Sequence, residues 1–292
     1  MSNFHNECLI CGGAKLSVVS KFERAHLTSC IKCGFIFSKM KPTADDLQSY
    51  YSDYPRAESL SAITKKRYSD LLDEFEKFRS NNRILDIGCG NGLFLSEAKA
   101  RGWEVYGTEY VINIVDKCKA KGIKMHLGEL NSDSFENGFF DVITLFEVIE
   151  HINNPLEEVQ YIDTFLRTNG LFYFTTPNFN SISRQISGSN WNIVEYPEHL
   201  SYYTPTSINN LFLNSSLKIH KLKTTGISLT RYNESKENLT HNSENKDYDK
   251  DEILRSKIER NWYLKLLKKI INQGLTFLGI GDSIKAYLIK IK

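Results

Sequence analysis

The sequence predicts an α/β fold built on a mostly parallel sheet, and two patterns carry that prediction. From residue 81 onward, short apolar runs rich in Val, Ile, Phe and Tyr alternate with stretches of helical periodicity. The helical stretches, such as GLFLSEAKARG and INIVDKCKAKG, end in glycine, which commonly stops a helix. Strands that alternate with helices form βαβ units, and the strands of such units run parallel.

Length and composition narrow the class of protein. The 292 residues suffice for one large domain with an appendage, and a charged fraction of 25% with a hydrophobic fraction of 41% is typical of globular proteins. A net charge of +2 gives no general argument for a nucleic-acid partner. The chain has neither a long apolar run nor a readable secretory signal, so we expect a cytoplasmic protein.

Three parts are predicted along the chain. Residues 1–40 form a small cysteine-rich module, residues 41–80 a helical linker or lid, and residues 81–292 the sheet domain. In the linker, a short helix opens near Thr43 and a longer one runs from about Leu60 to Phe78. The linker tyrosines either line a pocket or only pack, and the sequence leaves both interpretations open; they are Tyr50, Tyr51 and Tyr54.

Four of the six cysteines form two CxxC pairs that are separated by 18 residues, and each pair is followed by glycine. This spacing predicts a tetrahedral S4 site for structural zinc, because two such turns bring four thiolates to one ion. The ligands would be Cys8, Cys11, Cys30 and Cys33. The alternatives are redox dithiols or unligated thiols. The two remaining cysteines, Cys89 and Cys118, are expected to be small buried residues.

A glycine-rich turn follows the first strand of the sheet domain, in RILDIGCGNG. Its glycines are spaced GxGxG, whereas the dinucleotide-binding fingerprint is GxGxxG. Asp86 stands two residues before the first glycine, where a carboxylate would repel a diphosphate and attract a cationic ligand. Glu109 ends the second strand, where a carboxylate can accept hydrogen bonds from both hydroxyls of a ribose.

These residues resemble the class I S-adenosylmethionine-dependent methyltransferases over roughly residues 81–226. The resemblance is carried by LDIGCGNG, VYGTEY, HLGEL and FDVITLFEVIEHINNP, and the final DSIKAYLIKIK resembles the closing antiparallel strand of that fold. It implies a Rossmann-like sheet of seven strands, with a cap segment at 177–205 and an insertion at 227–282. It also implies a set of cofactor-binding residues, namely Asp86, Gly88, Cys89, Gly90, Gly92, Glu109, Glu129, Leu130 and Glu147.

A narrower resemblance covers nearly the whole chain. The cysteine pairs, the tyrosine-rich linker, EVIEHINNP and YPEHLSYYT together resemble the ribbon-bearing methyltransferases of deoxysugar, capsule and lipopolysaccharide pathways. This resemblance implies a small polar acceptor, in particular a nucleotide-linked sugar of surface polysaccharide biosynthesis. The methylated atom would be a hydroxyl oxygen or an acidic carbon.

Methyl transfer to a hydroxyl or an acidic carbon needs a base to remove a proton. The first candidate is His199, which follows Glu198 in the cap segment, because imidazole titrates near neutral pH. The second candidate is His151, which comes just after the fourth strand.

A metal is the competing explanation of the same residues. Glu147, Glu150 and His151 run ExxEH, which could bring three ligands to one divalent ion such as Mg²⁺, with His199 completing the set. The run resembles the metal-binding motif of ubiquinone-pathway O-methyltransferases and of small-RNA 2′-O-methyltransferases. Two further hypotheses stay open, an enzyme that acts on RNA and a module that binds the cofactor without catalysis.

The insertion contains two different segments. Residues 233–252 are polar without apolar periodicity and predict a loop. Residues 253–272 follow with a basic amphipathic helical pattern, which predicts either a peripheral contact with an anionic membrane surface or a helix packed on the domain. The sequence leaves the oligomeric state open.

Overall fold

The structure is a computed structural model that describes residues 4–43, 46–47, 50, 56–228 and 257–292. The predicted loop at 233–252 lies outside the described residues, as do Tyr51 and Tyr54. The chain divides into two compact units. Unit 1 comprises Met1–Lys41, Thr176–Asn210 and Leu222–Lys285, and unit 2 comprises Pro42–Thr175, Leu211–Lys221 and Ala286–Lys292.

The predicted α/β fold is confirmed by a seven-stranded sheet. Its strands are β4 (Arg83–Ile87), β5 (Glu104–Glu109), β6 (Lys124–Leu127), β7 (Phe140–Phe146), β8 (Leu166–Pro177), β10 (Leu217–Thr225) and β11 (Ser283–Lys290). Their order in the sheet is β10-β11-β8-β7-β4-β5-β6, and parallel pairing joins β4 to β5 and β7, β5 to β6, and β7 to β8. Three of them, β8, β10 and β11, have residues in both units.

Four helices of unit 2 precede or connect the strands. They are α1 (Ala62–Phe75), α2 (Leu93–Ala100), α3 (Ile112–Ala120) and α4 (Pro155–Phe165). The predicted linker helix becomes α1 plus a short 3-10 turn, Glu76–Phe78. Ser61 caps α1 by accepting a hydrogen bond from the N–H of Thr64, which satisfies one of the unpaired groups at the helix start.

The core of unit 2 lies between the sheet and its helices. From α2, Phe94, Leu95 and Ala98 are buried in one cluster with Ile84 of β4 and Val142 of β7. The side chains of α2 that face this cluster recur at helical spacing, so the amphipathic pattern seen in the sequence is the packing face. Burial of each large apolar side chain contributes on the order of 1.5–3 kcal/mol.

The first strand of this sheet begins at a buried carboxylate. Asp141, at the start of β7, is fully buried, and its oxygens accept hydrogen bonds from the backbone N–H groups of residues 80–83 at 2.6–3.4 Å. The Nε of Arg167, in β8, donates to Asp141 Oδ1 at 2.5 Å. Burial opposes ionisation, but the N–H donors and Arg167 lower the pKa of Asp141 below its usual value.

Unit 1 contains a second sheet, of the order β1-β2-β3-β9. Its strands are β1 (Leu16–Val18), β2 (Leu27–Cys30), β3 (Ile36–Ser38) and β9 (Ser201–Tyr202). The first three strands contain or flank the cysteines, and the fourth comes from the segment predicted to be a cap, through Ile36↔Tyr202 and Phe37↔Ser201. Between β8 and β10 lie α5 (Ile182–Ser187) and α6 (Pro205–Leu211).

The amphipathic pattern at 253–272 corresponds in part to α7 (Trp262–Leu278), and residues 253–256 fall outside the described part of the chain. Asn261 caps α7 by accepting hydrogen bonds from the N–H groups of Tyr263 and Leu264. Within the described ranges, no helix combines the length and the apolar character that crossing a membrane requires.

Candidate functional site

The glycine turn lies between β4 and α2 in unit 2, and α2 begins directly after it at Leu93. Gly88, Gly90 and Gly92 all have positive φ, of 67°, 51° and 66°. The turn is attached to the end of the neighbouring strand β5, because the Thr108 hydroxyl accepts a hydrogen bond from the Gly88 N–H at 3.1 Å. The Cys89 N–H donates to the Thr108 carbonyl at 3.0 Å.

Gly88 and Gly90 lack a side chain for two different reasons. A Cβ on Gly88 would lie 2.8 Å from Cγ2 of Val148, so protein packing excludes a side chain there. A Cβ on Gly90 would meet no atom within 4 Å, so the backbone at Gly90 borders open space. A ligand can therefore approach the main chain closely at Gly90, as the spacing predicted.

Asp86 is a buried carboxylate before this turn, with 3% of its surface exposed. The Thr144 hydroxyl donates a hydrogen bond to its Oδ1 at 2.7 Å. Burial raises the pKa of Asp86 to about 7, because one hydroxyl donor does not compensate for the lost water. Such a group is suited to a cationic ligand, whose charge would stabilise the carboxylate.

Glu109 is the second buried acid, at the end of β5. Its Oε1 accepts hydrogen bonds from the N–H groups of Tyr110 and Val111 at 2.9 and 3.3 Å, and from Arg56 Nη2 at 3.3 Å. Among the described residues no donor contacts its other oxygen, Oε2. The backbone therefore orients the carboxylate while one oxygen stays available to the hydroxyls of a ligand.

The remaining predicted cofactor residues follow β6 and β7. Glu129 is exposed, and its carbonyl oxygen lies 3.0 Å from Nε2 of His126. Leu130 is buried. Glu147 has a positive φ of 54°, which is uncommon outside glycine, and its N–H bonds the Thr175 carbonyl and hydroxyl.

The two cysteines of this region pack beneath the turn. Cys118 Sγ donates to the Gly90 carbonyl at 3.3 Å, and Cys89 Sγ lies 3.7 Å from the same oxygen. The Cys118 thiol, together with burial, raises the pKa of Cys89 well above its usual value. Cys89 is therefore a neutral thiol under the backbone of the turn.

The two candidate bases belong to different units, His151 to unit 2 and His199 to unit 1. His151 ends a 3-10 turn, Ile149–His151, and is half-buried, while Glu150 is buried. Within the described part of the chain, Glu147 does not join any set of three candidate ligand atoms lying within 4.8 Å of one another.

His199 and Glu198 are both buried in unit 1. Nδ1 of His199 lies 2.6 Å from the Ile193 carbonyl oxygen. A carbonyl only accepts, so Nδ1 carries the proton, and the lone pair of the neutral ring is then on Nε2. The Tyr202 hydroxyl donates to the His199 carbonyl at 3.0 Å and holds the backbone of this segment.

The four N-terminal cysteines converge in unit 1. Cys8 and Cys33 have their sulfurs 3.5 Å apart, as do Cys11 and Cys30, and all four sulfurs lie within 4.8 Å of one another. Four sulfurs at tetrahedral corners, each 2.3 Å from zinc, would be about 3.8 Å apart. The cysteines are unbridged, and their arrangement fits a tetrahedral metal site.

Several contributors were not predicted from the sequence. Thr108, Thr144 and Val148 shape the turn and its acid, and Arg56 contacts Glu109. A threonine inside an apolar strand, such as Thr144 in FDVITLF, is the one available signal, because a buried hydroxyl needs a partner.

The fold and the two acids at the strand ends define a methyltransferase of the class that uses S-adenosylmethionine. Residues 60–222, more than half of the chain, match the family described as "Methyltransferase domain". The chain belongs to this family of class I S-adenosylmethionine-dependent methyltransferase domains.

Relatives and solved structures agree with this family. The chain is 26% identical over 188 residues to a ubiquinone biosynthesis O-methyltransferase of Rickettsia conorii, covering 58% of this chain and 62% of that protein. It is 23% identical to the enzyme of the same name from Rickettsia prowazekii, over 77% of this chain and 83% of that protein. It is 32% identical to the enzyme of that name from Colwellia psychrerythraea, over 33% of this chain and 42% of that protein.

The match therefore spans less than two thirds of several of these relatives. A SAM-dependent methyltransferase from Archaeoglobus fulgidus has a similar fold, with a TM-score of 0.52 and 16% identity over 78% of this chain and 93% of that one.

Asp86 leads to a prediction about pH. Its carboxylate attracts a cation only when ionised, and its pKa in the free protein is raised to about 7. Binding of S-adenosylmethionine should therefore weaken as pH falls, with a Kd about tenfold higher at pH 6 than at pH 8. Calorimetry at both pH values measures this.

Asp86→Asn should bind weakly at pH 8 and should lose most of this pH dependence, so any remaining slope reports the ligand's own titration. Asp116→Asn, which removes an exposed acid of α3, is the matched control and should behave as the unaltered protein. Equal pH slopes for Asp86→Asn and the unaltered protein would contradict the assignment.

Proposed function

We propose that the protein transfers a methyl group from S-adenosylmethionine to a hydroxyl oxygen of a small acceptor, with a quinone precursor as the first acceptor class. The observation that carries this proposal is the name shared by the relatives from two Rickettsia species, which are ubiquinone biosynthesis O-methyltransferases. The quinone precursor thus replaces the nucleotide-linked sugar, which the sequence favoured, as the first acceptor class.

A sugar hydroxyl, in a nucleotide-linked precursor of surface polysaccharide, is the second acceptor class. The observation that favours it is the cysteine module, which lies outside the family match at residues 60–222. The ribbon-bearing methyltransferases that nearly the whole chain resembles in sequence act in sugar pathways.

The residues of the turn fit the proposed cofactor. When bound, S-adenosylmethionine supplies an electrophilic methyl group on a sulfonium. Asp86 would hold its cationic amino-acid end, Gly90 would admit it against open backbone, and Glu109 would accept hydrogen bonds from the ribose. Glu129 and Leu130 would contact the adenine ring of the cofactor, and Glu147 would also contact the cofactor.

The base that removes the acceptor's proton is proposed to be His199, with Glu198 beside it in sequence, and His151 is the second candidate. The support for His199 is its fixed tautomer, because Nδ1–H donates to the Ile193 carbonyl and leaves Nε2 to take a proton. The alternative is a divalent ion such as Mg²⁺, for which the sequence offers Glu147, Glu150 and His151. Glu147 joins no candidate ligand set among the described residues, so Glu150 and His151 would hold the ion, which would lower the pKa of the acceptor hydroxyl.

The cysteine cluster is proposed to hold one structural Zn²⁺. Its support is the set of four sulfurs within 4.8 Å of one another, at separations near those of a tetrahedral S4 site. With four protein ligands the ion would have no open position, so its role would be to stabilise unit 1.

Methyl transfer from radiolabelled cofactor to a panel of acceptors tests the proposed reaction. We expect O-methylation of hydroxylated quinone precursors, with nucleotide-linked sugars and RNA as the comparison arms. A product only from RNA, or no product from the panel, would contradict the proposal. If activity is retained after removal of added Mg²⁺, the histidine is favoured as the base. If activity is lost, the divalent ion is favoured.

The variant His199→Asn tests the proposed base in the same assay, since the amide can still donate to the Ile193 carbonyl but cannot act as a base. Turnover should fall by roughly 10²–10⁴-fold while the Kd for S-adenosylmethionine stays the same. His220→Asn, at an exposed histidine of β10, is the matched control. Unchanged turnover of His199→Asn would exclude this histidine as the base.

Metal analysis tests the cluster. The purified protein, or the protein titrated with Zn²⁺, should contain one zinc per chain, and Cys8→Ser with Cys33→Ser should lose it together with part of the thermal stability. The cofactor Kd should change little, because Asp86 and Glu109 belong to the other unit. Absence of stoichiometric zinc under both conditions would refute the site.

A further inference from the structure

Three hydrogen-bond donors of unit 1 lie within eight residues of one another, and none has a partner among the described residues. They are Nε of Arg184, the hydroxyl of Ser187 and Nε1 of Trp191. All three atoms are buried, and Trp191 as a whole is 1% exposed. A buried donor without a partner is costly, so native proteins rarely keep three together without a ligand or ordered water to accept from them.

Arg184 is a cation with no counter-charge among the described residues. It lies in α5 with its guanidinium carbon 4.7 Å from the centre of the Phe179 ring, and it forms no ion pair with the described residues. Burial alone lowers the pKa of Arg184, with no carboxylate to oppose it. The nearby acid Asp282 already accepts hydrogen bonds from the Ser183 hydroxyl at 2.6 Å and from the Ser228 N–H at 2.7 Å.

The three donors are arranged around the same part of unit 1. Ser187 follows Arg184 by three residues on α5, which brings both to one face of the helix. The ring of Trp191 packs edge-on against Phe179 with centroids 6.0 Å apart, and Phe179 also lies under Arg184. A guanidinium, a hydroxyl and an indole N–H together offer several donors and one positive charge, which suits an oxyanion.

We propose that Arg184, Ser187 and Trp191 form a subsite for an oxyanion group, a phosphate or a carboxylate, of the enzyme's acceptor. The segment that holds them begins where β8 ends, and in parallel sheets ligands bind beyond the carboxyl ends of the strands. The proposal rests on the proposed function for the identity of the ligand, but not for the presence of the site.

Binding without cofactor separates the two proposals. Calorimetry should detect inorganic phosphate, uridine diphosphate or benzoate binding to the full chain, and the strongest of these indicates which acceptor the subsite serves: a nucleotide-linked sugar or a carboxylate-bearing quinone precursor. Arg184→Met should reduce that affinity at least tenfold, and Trp191→Phe, which removes the N–H but keeps the ring, should reduce it severalfold.

Lys15→Gln removes a charge from the exposed surface of the same unit and should leave anion affinity unchanged. An unchanged Kd for S-adenosylmethionine checks that each variant is folded. Equal anion binding by Arg184→Met and the unaltered protein, or no binding of any of the three anions, overturns the subsite. Anion binding in a protein that methylates no acceptor of the panel overturns the proposed function instead.

A second feature of unit 1 supports an independent inference. Helix α7 buries only Leu275 among its own side chains, and eight of its large apolar residues are exposed. They are Trp262, Tyr263, Leu266, Leu267, Ile270, Ile271, Phe277 and Leu278. At 3.6 residues per turn, Tyr263, Leu266, Ile270 and Phe277 fall within a sector of about 60°.

The charges of α7 lie on its other side. Lys265, Lys268 and Lys269 project about 90–170° away from the centre of the apolar sector. Residues 257–278 contain five basic side chains and one acid, Glu259, which pairs with Lys265 and Lys268. An exposed apolar face with a tryptophan, bordered by lysines, is typical of helices that lie in the surface of an anionic bilayer.

We infer that α7 docks on an anionic lipid surface. Sedimentation with vesicles should show binding to phosphatidylcholine vesicles that contain phosphatidylglycerol, weaker binding in high salt, and little binding to phosphatidylcholine alone. Leu266→Glu with Ile270→Glu should abolish it, whereas Leu213→Glu, at an exposed leucine of unit 2, should not. Binding independent of lipid charge, or dimers that the double variant converts to monomers, would refute the membrane assignment.

Discussion

The buried carboxylate of Asp141 is the constraint on which the sheet depends. It collects the backbone N–H groups of residues 80–83 and the guanidinium of Arg167, and so it joins the start of three neighbouring strands, β4, β7 and β8. A charge without water is tolerated only when donors surround it in this way. Arg167 also donates to the Phe78 carbonyl, which ties the end of the linker to the same point.

Asp141 fixes the register of these strands at their amino ends, and this register determines which side chains meet near their carboxyl ends. Because β4 and β7 are paired with Asp86 opposite Thr144, the threonine hydroxyl reaches the only acid of β4. The pairing of β4 with β5 brings Thr108 to the Gly88 N–H in the same way. A shift of one residue would send these side chains to the opposite face of the sheet, so the acid and the glycine turn exist as a site only in this register.

The two acids of the site differ in what surrounds them. Glu109 accepts three hydrogen bonds on one oxygen, two of them from its own following turn, so its carboxylate is held by local backbone. Asp86 accepts one from a hydroxyl and is otherwise buried, so burial dominates its pKa. The first environment suits a carboxylate that accepts neutral hydroxyls, and the second suits one that meets a cation.

Local patterns predicted the parts of the structure that depend on neighbouring residues. The βαβ alternation, the glycine turn with Asp86, and the paired cysteines are all readable within about 35 residues of sequence. Contacts across long separations were not readable, such as Thr144 with Asp86 or Asp141 with residues 80–83, because many polar residues could have partnered each acid. Arg184 gave no signal, since an arginine on a short helix usually faces water.

The pairing of β3 with β9 joins the cysteine module to the segment that follows β8. Ile36 and Phe37 pair with Tyr202 and Ser201, some 165 residues away, so the fourth strand of the cysteine sheet belongs to the segment after β8. Arg24 reinforces the connection by donating to the carbonyl oxygens of Ser189, Trp191 and Val194.

The same segment contributes to the core of the module, where Trp191 and Val194 are buried with Phe22 and Leu27. His199 and Arg184 thus lie in a segment whose backbone is held by a small four-stranded sheet, and small modules often depend on a metal or a bridge for stability. The ion in the cysteine cluster would therefore position the proposed base and the proposed anion subsite without touching either, which gives a structural metal a direct consequence for acceptor binding.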